Sequence, residues 1–290
     1  MPTTIRVSIR LPYLLALPGG NYKTPSVGGS VRLTKRSITN TDGTPEARTD
    51  ASTTFKAFPG GTASDQERQR HTEAEKLLRR VNHLLRWYRV KTGQATIIEL
   101  TKAQAGAFHF RSTRSGVGLV GDPELTYQAA AFPVLASGNL ARMGAALRTE
   151  LSRKSEPDAA ELNVLDARYS LSVGRFRESV LLCWAAIDST FVRKFKGLVS
   201  ARLKGRWKEG YDFLNGPNLG LRQKMTFGLL LLNCPSMHSQ PDNFWDELSE
   251  SYKLRNKIIH EGQVAQESDA ELAIKVAQGI VRIVASLPDN

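Results

Sequence analysis

Leu254-Arg255-Asn256-Lys257-Ile258-Ile259-His260-Glu261-Gly262 is the stretch on which the reading of this chain turns. Its apolar spacing predicts the end of a long helix, with Gly262 placed to stop it in a left-handed conformation. A helix advances about 100° per residue, so Asn256 and His260, four apart, share a face, while Arg255 sits about 140° round from the histidine. Arg255 must therefore reach, and its long stem and planar guanidinium suit it to grip an anionic oxygen through two donors. His260 falls in the last turn, where exposed carbonyls favour the protonated imidazole. An arginine that is always charged, an amide and a titratable histidine at one helix end form a set that can act on a phosphate.

No zinc ligands surround this histidine in the sequence. Metal-free RNA cleavage needs a group that moves a proton while the ribose 2′-OH attacks the neighbouring phosphate, and a cation that stabilises the developing charge. His260 and Arg255 supply these two needs. Arg255-Asn256-Lys257-Ile258-Ile259-His260 resembles the R-N-x-x-x-H form of the RX4-6H motif of HEPN domains, and the flanking Tyr252-Lys253-Leu254 and Glu261-Gly262 are similar to that family too. The resemblance covers about residues 156–290. It implies a small all-α bundle in which the motif closes a long helix and two copies pair across a dimer interface. It also implies a metal-independent endoribonuclease of a toxin or anti-phage system, without a cofactor. Other members of the family only bind RNA or nucleotides.

Charge divides the chain. Residues 1–155 hold 23 Lys and Arg against 11 Asp and Glu, whereas residues 156–290 hold 17 of each, so the whole net charge of +12 lies in the first half. A basic module joined to a neutral one suggests contact with a polyanion such as RNA, or an excess that simply keeps the domain in solution. No stretch approaches 18 continuous apolar residues, the length of a membrane span. The apolar run at 11–17 follows Arg6 and Arg10 as a signal peptide would, but Pro12 interrupts it and it continues the alternation of Ile5, Val7 and Ile9. Cys183 and Cys234 are the two cysteines, too few for a disulfide framework, which fits a reducing cytoplasm.

Within the first half, residues 4–10 and 31–38 alternate as half-buried strands, and residues 96–100 and 107–111 are expected to be strands as well. Gly, Pro, Ser and Thr dominate the intervening sequence up to Ser64, which predicts long loops. Thr72-Glu73-Ala74-Glu75 is a capping-box pattern, followed at helical spacing by Leu77, Leu78, Val81, Leu84, Leu85 and Tyr88. Lys76, Arg79, Arg80, Arg86 and Arg89 are expected on the other face of that helix, where they suit a solvated surface or a nucleic-acid contact. His71 and His83 are twelve apart with no third ligand nearby, which argues against a metal site. Gly116-Val117-Gly118-Leu119-Val120-Gly121 matches G-x-G-x-x-G, but a helix is expected only from Asp122-Pro123-Glu124, beyond the last glycine, and no acidic residue follows until Glu150. The run therefore reads as a turn rather than a dinucleotide loop.

Residues 138–153 predict a connecting helix, and Ser155-Glu156-Pro157-Asp158 a break and restart with Asp158 as cap, so the boundary falls between 155 and 156. Residues 159–173 and 175–196 predict a helical pair whose second member buries Val180, Leu181, Trp184, Ile187, Phe191 and Phe195. Asp188 lies near that stripe, where a carboxylate needs a partner. Second helices of HEPN-like domains often carry an acidic residue facing the motif; here it is the shorter aspartate rather than the usual glutamate. By that resemblance Asp188 pairs with Arg255 or orients His260.

Arg193, Lys194, Lys196, Arg202, Lys204, Arg206 and Lys208, with Phe195 and Trp207 interleaved, form a basic segment suited to an RNA backbone or to solvation alone. Residues 224–232 predict a buried helix, 243–261 the motif helix and 268–287 the closing helix. No 34-residue period recurs, which excludes a tetratricopeptide repeat. The expectation is an α+β amino-terminal domain over 1–155 followed by an all-α HEPN-like helical bundle over 156–290. The function expected is RNA cleavage by Arg255 and His260, with Asn256 and Asp188 in support, in a homodimer that answers to an antitoxin or another defence protein. The alternative is a non-catalytic RNA-binding or regulatory module.

Overall fold

The computed structural model describes residues 4–13, 15, 17–39, 45–56, 62–105, 108–112, 118–119, 140–153, 155–217, 219–240 and 243–288. The chain forms two compact units, Met1–Pro157 and Asp158–Asn290. Each has its own apolar core. No helix among the described residues is long and apolar enough to cross a membrane.

The first unit is α+β. Its antiparallel strands are β1 (Thr4–Arg10), β2 (Gly20–Lys23), β3 (Ser30–Thr39), β4 (Pro45–Lys56), β5 (His109–Ser112) and β6 (Gly118–Leu119), in the order β2-β3-β4-β1-β5-β6. Among the described residues it also holds the helices α1 (Ala63–Thr92), the short α2 (Lys102–Ala105) and α3 (Leu140–Ser152). Strand alternation puts Ile5, Val7 and Ile9 on one face, and Leu11, Tyr13, Leu15 and Leu17 carry the same parity into the core. Leu11, Tyr13, Leu15 and Leu17 are thus core, joined to Leu77, Val81, Leu84, Leu85 and Tyr88 of α1 and to Leu147 and Leu151 of α3.

Several expectations for this unit need correction. The predicted loops before Ser64 contain β2 and the twelve-residue β4. β4 pairs with β1 on one side and β3 on the other, and its buried Ala51 faces Ile9 and Leu33. A strand with neighbours on both edges draws its stability from the ladder, so polar and small residues serve it. The helix of Leu77 begins at Ala63, not at Thr72: Thr62 caps it, accepting from the Asp65 N–H while the Asp65 carboxylate accepts from the Thr62 N–H. Residues 63–71 lack apolar spacing because that part of α1 projects into solvent, and the Thr72 hydroxyl merely donates to the Arg68 carbonyl, 2.9 Å away.

Residues 96–100 form no strand. Their backbone is met by side chains instead: Leu100 exchanges two hydrogen bonds with the Asn82 amide, and the Tyr13 hydroxyl bonds both N–H and carbonyl of Ile98. Once satisfied in this way, a segment needs no neighbouring strand. Arg89 is buried rather than solvated. The G-x-G-x-x-G run lies outside the described residues except for Gly118 and Leu119 of β6, and the helix expected from Asp122 lies outside them as well.

The second unit is mostly helical, its described elements being α4 (Ala159–Ser172), α5 (Phe176–Leu203), α6 (Lys208–Asn215), α7 (Leu221–Gln223), a π-helical turn (Lys224–Gly228), α8 (Leu229–Leu231), a 3₁₀ turn (Met237–Ser239), α9 (Phe244–Glu261) and α10 (Glu267–Ser286). Asp158 caps α4, accepting from the Ala160 N–H at 2.8 Å. Helices α4, α9 and α10 pack on α5, whose Val180, Trp184, Ile187, Phe191 and Phe195 are all buried. The predicted buried helix at 224–232 is only half so: Met225, Leu229 and Leu232 are inside, while Phe227 and Leu230 are exposed. The π-turn shifts the angular spacing, so a run of leucines no longer falls on one side.

Candidate functional site

The candidate site stands at the carboxyl end of α9, and the packing of that helix explains its orientation. Leu248, Ser251, Leu254 and Ile258, spaced three or four apart, are its buried residues. One polar contact locks the rotation: the buried indole N–H of Trp184 donates to the Ser251 hydroxyl at 3.0 Å. Tyr252 packs edge-on against the same indole, centroids 5.3 Å apart. Arg222 donates to the Ser249 hydroxyl at 3.1 Å and lies over the Trp245 ring. Lys275 of α10 pairs with Glu247 at the other end of the helix. With Ser251 and Ile258 turned inward, Arg255 and Asn256 come to the rim, half-buried, and His260 is exposed.

Arg255 does not bend toward the histidine along the helix. Its Nη1 donates to the Asn256 Oδ1 at 2.9 Å, so the two rim residues form one polar unit with donors to spare. Asp188, on α5, is half-buried. Burial pushes its carboxyl up from the ordinary carboxylate range and the nearby Arg255 guanidinium draws it back down. Asp188 therefore lies within electrostatic reach of Arg255, although no direct ion pair joins them among the described residues.

Gly262, at φ +70°, ends the helix and returns its N–H to the Lys257 carbonyl. Nearby, the Arg177 Nη2 donates to the Ile258 carbonyl at 3.4 Å, placing a second cation where the helix dipole is negative. A hollow of about 620 Å³ opens beside this end, walled by Phe176, Arg177, Leu181, Leu182, Gly262 and Val264. Val264, on the wall of this hollow, is 74% exposed, and Ile259 of α9 is 44% exposed. Neither Arg177 nor the hollow was legible in the sequence: an arginine at a helix start carries no periodic signal, and the hollow exists only because the turn between α4 and α5 and the one between α9 and α10 stand side by side.

The basic segment divides. Lys204, Arg206 and Lys208 are exposed and Arg202 is half-buried. Trp207 is 47% exposed, one face of its ring covering Gly210. Phe195, by contrast, is a core residue stacked on Phe191 at 5.6 Å and is closed to base stacking. Among the described residues, no group of three or more His, Cys, Asp and Glu could hold a metal ion.

Comparison with family models, curated proteins and solved structures found no match to this chain.

Proposed function

We propose that this protein is a metal-independent endoribonuclease of HEPN type, acting as a toxin or anti-phage effector in the cytoplasm. The observation that carries the reading is the pairing of an exposed imidazole, His260, with a half-buried arginine anchored to Asn256 on the last two turns of one helix. Arg255 binds the scissile phosphate and stabilises its added charge, Asn256 holds the guanidinium in place, and Asp188 balances it from α5. The 2′-oxygen bonds to phosphorus as its proton passes to an imidazole, and the 5′-oxygen leaves with a proton from a second imidazole. A 2′,3′-cyclic phosphate and a 5′-hydroxyl result. Because each copy offers one His260, two copies of the chain complete the cleft. Lys204, Arg206 and Lys208, with Arg202, extend the grip along the RNA backbone.

The deciding experiment is digestion of varied RNAs by purified protein in chelator, with the ends analysed. Cyclic phosphate ends that disappear in His260→Ala, by about 10²–10⁴-fold in rate, with RNA affinity retained, support the reading. No cleavage by the unsubstituted protein on any RNA sinks it. The exposed Ile259 and Val264 beside the hollow favour a second reading, a non-catalytic module that binds a partner protein such as an antitoxin. In that case His260→Ala leaves complex formation intact, and Val264→Asp abolishes it.

A further inference from the structure

Far from the motif in sequence, the first unit holds a second constellation of reactive groups. The β2–β3 hairpin turns through Thr24-Pro25-Ser26-Val27-Gly28-Gly29, with Pro25–Val27 in a single 3₁₀ turn. Ser26 is exposed. Its Oγ lies 3.0 Å from Nε2 of His83, whose side chain is wholly buried on α1. The other ring nitrogen, Nδ1, lies 3.2 Å from a Glu156 carboxylate oxygen, and Arg86 Nη1 holds the same carboxylate at 2.9 Å. Residues 57 and 73 positions apart thus form one line: hydroxyl, imidazole, carboxylate.

The chemistry of each atom sets the protons. A carboxylate only accepts, so Nδ1 carries the ring hydrogen toward Glu156 and Nε2 is left with its lone pair toward the serine hydroxyl. Burial lowers the affinity of His83 for a proton, Glu156 raises it and Arg86 lowers it. These are the charged groups facing the ring, and the balance keeps the imidazole neutral at pH 7, as a base must be. The loop is held rigidly. Thr24 N–H donates to the Gly29 carbonyl at 2.8 Å, and Arg80 donates to the Gly28 carbonyl and to Thr53 Oγ1. Gly29, at φ +108°, lets Arg80 approach so closely that a Cβ there would sit 2.7 Å from the guanidinium. A cation is therefore fixed against the peptide two residues beyond Ser26. A histidine with a purely structural role is satisfied by any two partners; here they come in the order nucleophile, base and orienting acid, with the nucleophile on the surface.

We propose that Ser26, His83 and Glu156 are a hydrolytic triad that cleaves carboxylic esters at the surface of the first unit. Ser26 Oγ bonds to the acyl carbon while its proton passes to His83 Nε2. The tetrahedral oxyanion collapses, the bond to the alcohol oxygen breaks, and the alcohol leaves with the proton from His83. Water then attacks the acyl-serine, giving one proton to His83, and the acid departs as Ser26 Oγ regains that proton. Ser26 and His83 are the catalytic residues. Glu156 is a positioning residue that acts through the imidazole. The exposure of the serine suits small esters with an accessible carbonyl.

The test uses the full chain with a fluorophosphonate probe, which phosphonylates an activated serine, and p-nitrophenyl acetate as reporter. One probe per chain is expected on Ser26, found by peptide mapping, with none on the neighbouring exposed Ser30. Ser26→Ala, at an exposed position, keeps the fold, loses the label and lowers ester turnover at least tenfold. His83→Gln lowers the labelling rate by about 10²–10⁴-fold. Glu156→Gln lowers kcat with KM little changed and shifts the acid limb of the pH profile, an effect a merely structural carboxylate would not produce; Glu156→Asp restores part of it. Failure of Ser26 to label, or ester turnover that is equal in Ser26→Ala, overturns the proposal. Should His83→Gln not fold, the site of labelling and the Ser26→Ala rate decide alone.

Discussion

Two long helices, α1 and α9, each end at a glycine in the left-handed conformation and each carry arginine and histidine, yet they treat His83 and His260 in opposite ways. In α1, His83 is wholly buried with a partner on each nitrogen, and Arg89 is buried too. In α9, His260 is exposed, without a bonded partner among the described residues, and Arg255 waits at the rim on Asn256. What differs is the place of the histidine relative to the apolar stripe. His83 lies among Val81, Leu84 and Leu85, so folding desolvates it and must supply its hydrogen bonds. His260 lies past Ile258, beyond the last buried residue of the helix, so water reaches it.

The comparison breaks first where α9 is oriented. Trp184→Ala removes the indole against which the motif helix is set and should cost about 3–5 kcal/mol, read as a lowered urea midpoint; a loss below 1 kcal/mol would show that α9 is held by something else. Ser251→Ala strands the buried indole N–H at a cost of about 1–3 kcal/mol, and calorimetry should find the loss absent in a Trp184→Phe background, where no N–H is left unpaired. Thr62→Ala, which opens the capping box of α1, should cost about 1 kcal/mol; an unchanged melting temperature would mean that the polar first turns of α1 contribute nothing.

The smallest effect sharpens the contrast between the histidines. His83 is pushed below its ordinary 6.5 in the folded state. The unfolded chain therefore binds the extra proton first, and stability falls as the pH drops below 6.5 toward the folded value. His83→Gln should flatten that stretch of a stability-against-pH curve. Equal curves for the unsubstituted protein and His83→Gln would contradict the assigned burial.

Much of the second unit was legible in its sequence. Apolar residues at helical spacing over 159–173, 175–196 and 268–287 mark α4, α5 and α10, and Asp158 and Gly262 mark a start and a stop where the structure has them. Helical pattern is local, since residues four apart meet whatever the rest of the chain does. The first unit was read less well for the complementary reason. β4 is polar and is a strand only because β1 and β3 flank it, and 96–100 has strand-like residues but spends its backbone on Asn82 and Tyr13.

The same division runs through the candidate sites. By itself the sequence determined that Asn256 and His260 share a face and that the helix stops at Gly262, because both follow from the helical repeat and from one residue's backbone freedom. Only the tertiary structure decided that Arg255 would bond to Asn256, that Asp188 of α5 would come within its field, and that Ser26, His83 and Glu156 would meet. All but the first join residues tens of positions apart, and no local rule constrains which side chains two packed elements will bring face to face; the bond between neighbours Arg255 and Asn256 depends on the rotamer that packing leaves to the arginine.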